Sequence, residues 1–455
     1  MQILSIEDIV RATNGEVVNG KSDGIIKAIT TDSRKAENDV LFIPLKGEKV
    51  DGHNFINSAL EKGAVVLTQY DADFSDGTVV KVKDTRIALG DIARYYLEKY
   101  RVPVVSVTGS VGKTTTKDLI YSVLSQKFKT HKTPNNFNND IGLPLTVFGI
   151  EKEHNAAVIE MGMSHFGEIS YLASIAKPDC AVITNIGMSH IENLGSREGI
   201  FKAKMEIVEN FNESNTLFVN CDSPFLNSLS DTRYRLVKFG INENADVYAK
   251  DIENLGLSGT RLTVVHQTGE FKATVKQPGV HNIYNALSAV CVGLYMGLTE
   301  KQCAEGLENC EYTSGRLEII NHNGMEIISD CYNSSPDSIR AALKVMGESL
   351  KDRKVAVLGD VLEMGEYAKD EHYNVGKDIP SMDVDMLITA GENAKYIADG
   401  ARAMGMENIV SFDTTDELRK EINNLLKAGD CVLIKASHGM RFIEITEEIT
   451  GRKDT

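Results

Sequence analysis

The sequence predicts an α/β protein in three units: a small N-terminal α/β unit, a central P-loop-type unit with a mostly parallel sheet, and a C-terminal dinucleotide-fold-like unit. Three observations predict it. A Val-rich run leads through a glycine-containing loop into a helix near residue 110. Apolar runs then alternate with amphipathic stretches, the pattern of a doubly wound sheet. A second such alternation starts after residue 315, and 455 residues exceed what one core organises. The expected divisions are 1–100, 101–313 and 314–455.

In the first unit, residues 39–45 and 64–68 read as strands and 53–62 as a helix. Residues 85–100 have helical periodicity and connect to the next unit. There, 104–107 is a continuous apolar run of the kind found in buried parallel strands, followed by a helix over 115–128. Strands are expected at 156–159 and 180–183, a hairpin over 261–275 turning near Thr268-Gly269, and a long helix over 281–296. In the third unit, strands are expected at 355–358, 386–388, 409–412 and 431–434.

Composition narrows the function classes. Lys and Arg number 49 against 65 Asp and Glu, a formal net charge of −16. Such a chain binds nucleic acid or anionic membrane poorly, so an anionic ligand needs local positive groups. Seven cysteines, an odd number without a CxxC pair, fit a reducing cytoplasm better than a disulfide framework or a zinc site. The acidic start lacks a signal-peptide pattern, and no apolar run approaches the roughly 20 residues of a spanning helix. We expect a cytoplasmic monomer with no stable membrane insertion and no nucleic-acid partner.

The loop Thr108-Gly109-Ser110-Val111-Gly112-Lys113-Thr114-Thr115 has the chemistry of a phosphate cradle. Gly109 and Gly112 allow a tight turn and close approach, and the following helix directs amides at an anion. Lys113 can reach terminal phosphates, and the Thr114 hydroxyl suits Mg²⁺. The common G-x-x-x-x-G-K-[ST] pattern wants glycine at position 107, where this chain has Val107. The motif is the shorter T-G-x-x-G-K-T. ATP is the expected nucleotide.

This loop after a Val-rich strand resembles that of the Mur ligase family, whose members build the peptide stem of bacterial cell-wall precursors. The likeness runs through nearly the whole chain. Three stretches carry a finer resemblance, to the members that add a dipeptide. They are Asn135-Asn136-Phe137-Asn138-Asn139-Asp140-Ile141-Gly142-Leu143-Pro144, Asp330-Cys331-Tyr332-Asn333-Ser334-Ser335-Pro336-Asp337-Ser338, and Leu358-Gly359-Asp360-Val361-Leu362-Glu363-Met364-Gly365-Glu366. The Asp-Asn-Pro motif of the diaminopimelate- or lysine-adding relatives is absent from the sequence. The resemblance implies ATP, Mg²⁺, a UDP-muramoyl tripeptide and D-Ala-D-Ala as ligands. It leaves other members of the family, and a nucleotide-binding switch without ligase activity, as alternatives.

Residue types alone make Glu160 a helix cap and His190 a lone surface histidine; the resemblance makes both metal ligands. Lys204, within Phe201-Lys202-Ala203-Lys204, matches the family's carbamylated lysine, with Lys202 as the competing candidate. The resemblance places Asn282 and Asn285 against the nucleotide, and brings Arg316 and Asp330 to ATP from the third unit. On residue type, Arg316 equally suits a surface ion pair. Ser33, Arg34, Lys46 and Gly47 match the family's uridine-nucleotide site. Asn135, Asn136, Asn138 and Asn139 match the sugar-peptide contacts, with Tyr332 and Asn333 beside them. Lys435, Ser437 and Arg441 match a segment near the incoming dipeptide.

Overall fold

The computed structural model describes every residue except Ala72, Ser75, Asp231 and 453–455. Three main sheets organise it. The N-terminal sheet has five strands in the spatial order Glu16–Asn19, Thr78–Lys81, Val65–Thr68, Val40–Phe42 and Ala28–Thr30, with only the first pair antiparallel. The expected helix over 53–62 divides in two. Asp51 accepts the His53 amide at 2.9 Å and caps a 3₁₀ turn, Gly52–Phe55, which leads into the helix Ile56–Glu61.

Nine strands form the central sheet, with Val104–Thr108 between Cys180–Ile183 and Ala156–Glu160. All three are parallel and fully buried, as their uninterrupted apolar runs require. The far edge is the expected hairpin, Thr260–His266 and Gly269–Val275. The sheet also includes Thr130–Lys132, Thr216–Asn220, Arg235–Gly240 and Val247–Asn254, which lie outside the expected strands.

Helix Thr85–Lys99 joins the first two units. Asp84 caps it by accepting the Arg86 and Ile87 amides at 2.8 and 2.9 Å. Its buried Tyr96 accepts the Gln2 amide and donates to the Ile150 carbonyl, so one side chain fastens both sides.

The third unit is a six-stranded sheet in the order Glu318–His322, Met325–Ser329, Asp430–Lys435, Arg353–Gly359, Met386–Ala390 and Ile409–Phe412. The four expected strands are present, and an antiparallel hairpin at its start adds two more. No helix of the described residues is long and apolar enough to cross a membrane.

Candidate active site

The phosphate loop leaves the strand Val104–Thr108 at its carboxyl end, where open α/β sheets bind ligands. Gly109 and Gly112 have φ of +156° and +84°. A Cβ on Gly109 would stand 1.9 Å from Thr184 Oγ1, and one on Gly112 would stand 2.7 Å from Asn285 Oδ1. Glycine is therefore required at both by conformation and by space. Asn185 braces the loop: its carbonyl accepts the Ser110 amide at 3.1 Å and its Oδ1 accepts the Val111 amide at 3.0 Å. Those two amides are engaged. The amides of Gly112, Lys113, Thr114 and Thr115 open the helix Lys113–Leu124, where the chain has no intrahelical acceptor for them. The anion-facing donors thus begin at Gly112, later than the loop's sequence implies. The Lys113 ammonium folds back onto the Gly109 carbonyl at 2.8 Å. Burial holds its pKa below the ordinary lysine value, opposed by Glu160 and reinforced by Arg316.

A cleft of about 1010 Å³ lies above this loop and is walled by both the central and the third unit. Ser110 to Thr115, Glu160, His190, Asn282, Asn285, Arg316 and Asp330 line it, as do Asn136, Asn138, Asn139, Tyr332, Asn333, Lys435 and Ser437. Arg316 crosses from the start of the third unit. It donates to the Thr114 hydroxyl at 3.0 Å, and its guanidinium sits 3.9 Å from the Tyr332 ring centroid. Glu160 is buried; Asn138 donates to its Oε1 at 2.8 Å, while its Oε2 has no hydrogen-bond partner among the described residues. His190 Nδ1 lies 2.6 Å from Glu363 Oε2 of the third unit, without the alignment of a hydrogen bond.

Lys204 projects from the helix Arg197–Met205 and is 1% exposed, and its ammonium has no hydrogen bond or ion pair among the described residues. Burial, and secondarily Lys113, holds its pKa well below the ordinary lysine value. Lys202 is exposed. Asn282 and Asn285 are buried and bonded to each other at 2.9 Å, and Asn285 also accepts from Thr116 at 3.1 Å. Lys435, 1% exposed, donates to Asp330 Oδ2 at 2.6 Å and to the Asn333 carbonyl at 2.9 Å. Ser437 accepts the Leu362 amide at 2.9 Å.

Eight of the expected residues stand outside the cleft lining, Gly109 and the buried Lys204 among them. Arg34 is exposed and paired with Asp32, and Ser33 shares its 3₁₀ turn. The Lys46 backbone pairs with that of Asp51 in an isolated antiparallel bridge, beside Gly47. Asn135 is exposed at a left-handed φ of +46°. Arg441 is exposed and paired with Asp416 and Glu444. Sequence reasoning also passed over Thr184 and Asn185, which shape the loop, and Lys117, 1% exposed and 4.0 Å from the free oxygen of Glu160.

The comparisons bear on these features together. Residues 107–293 match the Mur ligase middle domain, 315–438 the Mur ligase glutamate ligase domain, and 25–108 the Mur ligase catalytic domain. UDP-N-acetylmuramoyl-tripeptide–D-alanyl-D-alanine ligase of Bacillus subtilis is 37% identical over 454 residues, 98% of each chain. The chain belongs to the Mur ligase family. Its three-unit architecture follows known Mur ligases closely. A crystal structure of MurF from Acinetobacter baumannii superposes on this Mur ligase with a TM-score of 0.93 at 30% identity, covering 99% of this chain and 100% of that one. MurF ligase from Thermotoga maritima in complex with ADP gives 0.84 at 28% identity, over 93% and 96%.

Proposed function

We propose that this chain joins D-Ala-D-Ala to the terminal carboxyl of UDP-N-acetylmuramoyl-tripeptide, converting ATP to ADP and phosphate. The observation that carries the reading is the Arg316–Thr114 contact, which puts a third-unit cation on the phosphate loop. Full-length likeness to ligases of that name supports the same substrates. The protein works as a cytoplasmic monomer.

In this reading the tripeptide carboxylate attacks the γ-phosphorus of ATP, and ADP leaves with the bridging oxygen. Lys113 and Arg316 spread the charge on the transferred group. The dipeptide amine attacks the resulting acyl phosphate, an amide forms, and phosphate departs. Closure of the third unit onto the central one excludes water from the acyl phosphate. Asn282 and Asn285 hold the nucleotide, and Asn136, Asn138 and Asn139 the sugar-peptide. Asp330 fixes Lys435 near the incoming dipeptide, with Tyr332, Asn333 and Ser437 alongside. Ser33, Arg34, Lys46, Gly47, Asn135 and Arg441 take the outer parts of the substrates.

The donor set fits Mg²⁺. Glu160 has a buried oxygen without a partner, Thr114 offers a hydroxyl, and His190 lines the same cleft. No group of three His, Cys, Asp or Glu side chains among the described residues forms a metal cage, so Glu160 and Thr114 would hold Mg²⁺ with its remaining positions left to water and phosphate oxygens. Bound there, Mg²⁺ supplies charge neutralisation of the phosphates. Lys204, carbamylated, adds a buried anion that faces Lys113.

ADP formation measured with the tripeptide nucleotide tests the reading, with D-Ala-D-Ala or single amino acids added in turn. The expected result is ADP and product only with the dipeptide. Turnover with a single amino acid, or nucleotide binding without ADP formation under any combination, overturns it.

A further inference from the structure

The helix that begins at the phosphate loop carries a buried carboxylate that the site described above leaves unused. Asp118 is 1% exposed. Its Oδ2 accepts from Thr313 twice, from the amide at 3.0 Å and the hydroxyl at 2.7 Å. Its Oδ1 accepts from Lys132 at 2.7 Å, and the Lys117 ammonium stands 3.7 Å away. A buried carboxylate persists only when so neutralised and hydrogen-bonded.

Thr313 precedes Arg316 by three residues, in the segment that leads into the third unit. Thr114 and Asp118 are four apart on one helix and so share a face. The segment 313–316 is therefore fastened to that face at two points, Thr313 to Asp118 and Arg316 to Thr114. Between them lies Gly315 at φ +71°. A Cβ there would meet nothing nearer than 3.8 Å, so its glycine is required by conformation and not by crowding. The two fastenings differ in kind. One is a charged, buried, multiply bonded clamp. The other is a single bond from a guanidinium to a hydroxyl on the cleft wall.

We infer that the Asp118–Thr313 clamp is the fixed pivot about which the third unit turns, and that it positions Arg316 on the phosphate loop. This rests on the reading of Arg316 as the residue that meets the transferred phosphate. Asp118 touches no substrate; it acts through the segment it holds. Small shifts at such a pivot become large displacements of the unit beyond it.

The test uses the full-length protein. Asp118→Asn removes the charge, Thr313→Val removes only the hydroxyl, and Thr313→Ser restores it. Three quantities are read: kcat and KM for ATP, ADP affinity by calorimetry, and the distance distribution between spin labels on the central and third units. Both disruptive variants are expected to lower kcat about tenfold or more with KM for ATP changed less than about threefold. ADP affinity is expected to hold, the distance distribution to broaden, and Thr313→Ser to recover both kcat and the narrow distribution. Thr313→Val keeps every charge, so it remains informative if Asp118→Asn does not fold. Wild-type kcat and distances in Thr313→Val overturn the inference, as does a kcat loss matched by lost ADP affinity. If the wild-type protein makes no product, the functional reading fails, while the distance measurement with ADP still decides whether the clamp is a pivot.

Discussion

Glu363 of the third unit stands 2.6 Å from Nδ1 of His190 in the central unit, and the histidine depresses the Glu363 carboxyl below its ordinary pKa. Both residues adopt a left-handed backbone, with φ of +62° and +64°. Around them Tyr367 donates to the Gly195 carbonyl at 3.3 Å, and Gly365 packs so closely that a Cβ there would stand 2.9 Å from Glu192 Cγ. The two units meet at this point as well as at Arg316. Glu363→Ala is expected to speed hydrogen exchange of residues 190–195 and 363–367 while moving the melting temperature by less than about 2 °C, because a pair whose carboxylate is exposed contributes little to global stability. Unaltered exchange in both segments would remove the pair as a latch.

Much of this site can be read from the chain, for identifiable reasons. The loop 108–115 announces itself because phosphate binding needs glycine at fixed spacing between a buried strand and a helix. Glu160 ends an apolar run and His190 follows one by seven residues, which puts both at the same edge of the sheet. Asp118 and Lys117 escaped notice because a charged pair on a helix looks solvated; the partners that take them out of water, Thr313 and Lys132 for Asp118 and Glu160 for Lys117, are distant in sequence. The strands Glu16–Asn19 and Thr130–Lys132 were missed because three or four half-buried edge residues make no period. Arg34 and Arg441 show the converse: a basic residue in a suggestive motif, paired locally and standing on the outside.

Arg316→Ala should lower kcat by roughly 100-fold, about 3 kcal/mol of transition-state stabilisation, because its charge meets the phosphoryl group only as that charge develops. KM for the tripeptide nucleotide should change far less. Removing the guanidinium also uncovers one face of Tyr332, so the variant's fold is to be checked by its melting curve. A kcat within twofold of wild type would take Arg316 out of the phosphoryl step.

Acid sensitivity should be visible at Asp8. Burial raises its pKa, but bonds from Lys99, the Ser5 amide and Tyr95 outweigh this and pull it down to about 2. The unfolded value is 3.8. A depressed carboxyl contributes stability that is complete above the unfolded pKa and lost as pH falls through the folded one. Asp8→Asn should therefore cost about 1–2 kcal/mol at pH 7, discounted for the partial exposure of Lys99, and little near pH 2. Urea titrations of both proteins at the two pH values measure the difference. An equal gap at both would mean that the effect is not the carboxylate's charge.

Lys204 has the surroundings that carbamylation requires. The neutral amine, not the ammonium, attacks CO₂; the new C–N bond forms as one C=O π bond opens, and a proton leaves. Burial and the neighbouring Lys113 hold Lys204 well below its ordinary pKa, which favours that neutral amine. The product anion would turn the repulsion from Lys113 into attraction. Lys202, two residues away, is exposed. In ¹³C-bicarbonate buffer the wild-type protein should therefore give one slowly exchanging carbamate resonance. It should persist in Lys202→Ala and vanish in Lys204→Ala. A fully active protein with no such resonance would mean that the buried amine serves without modification.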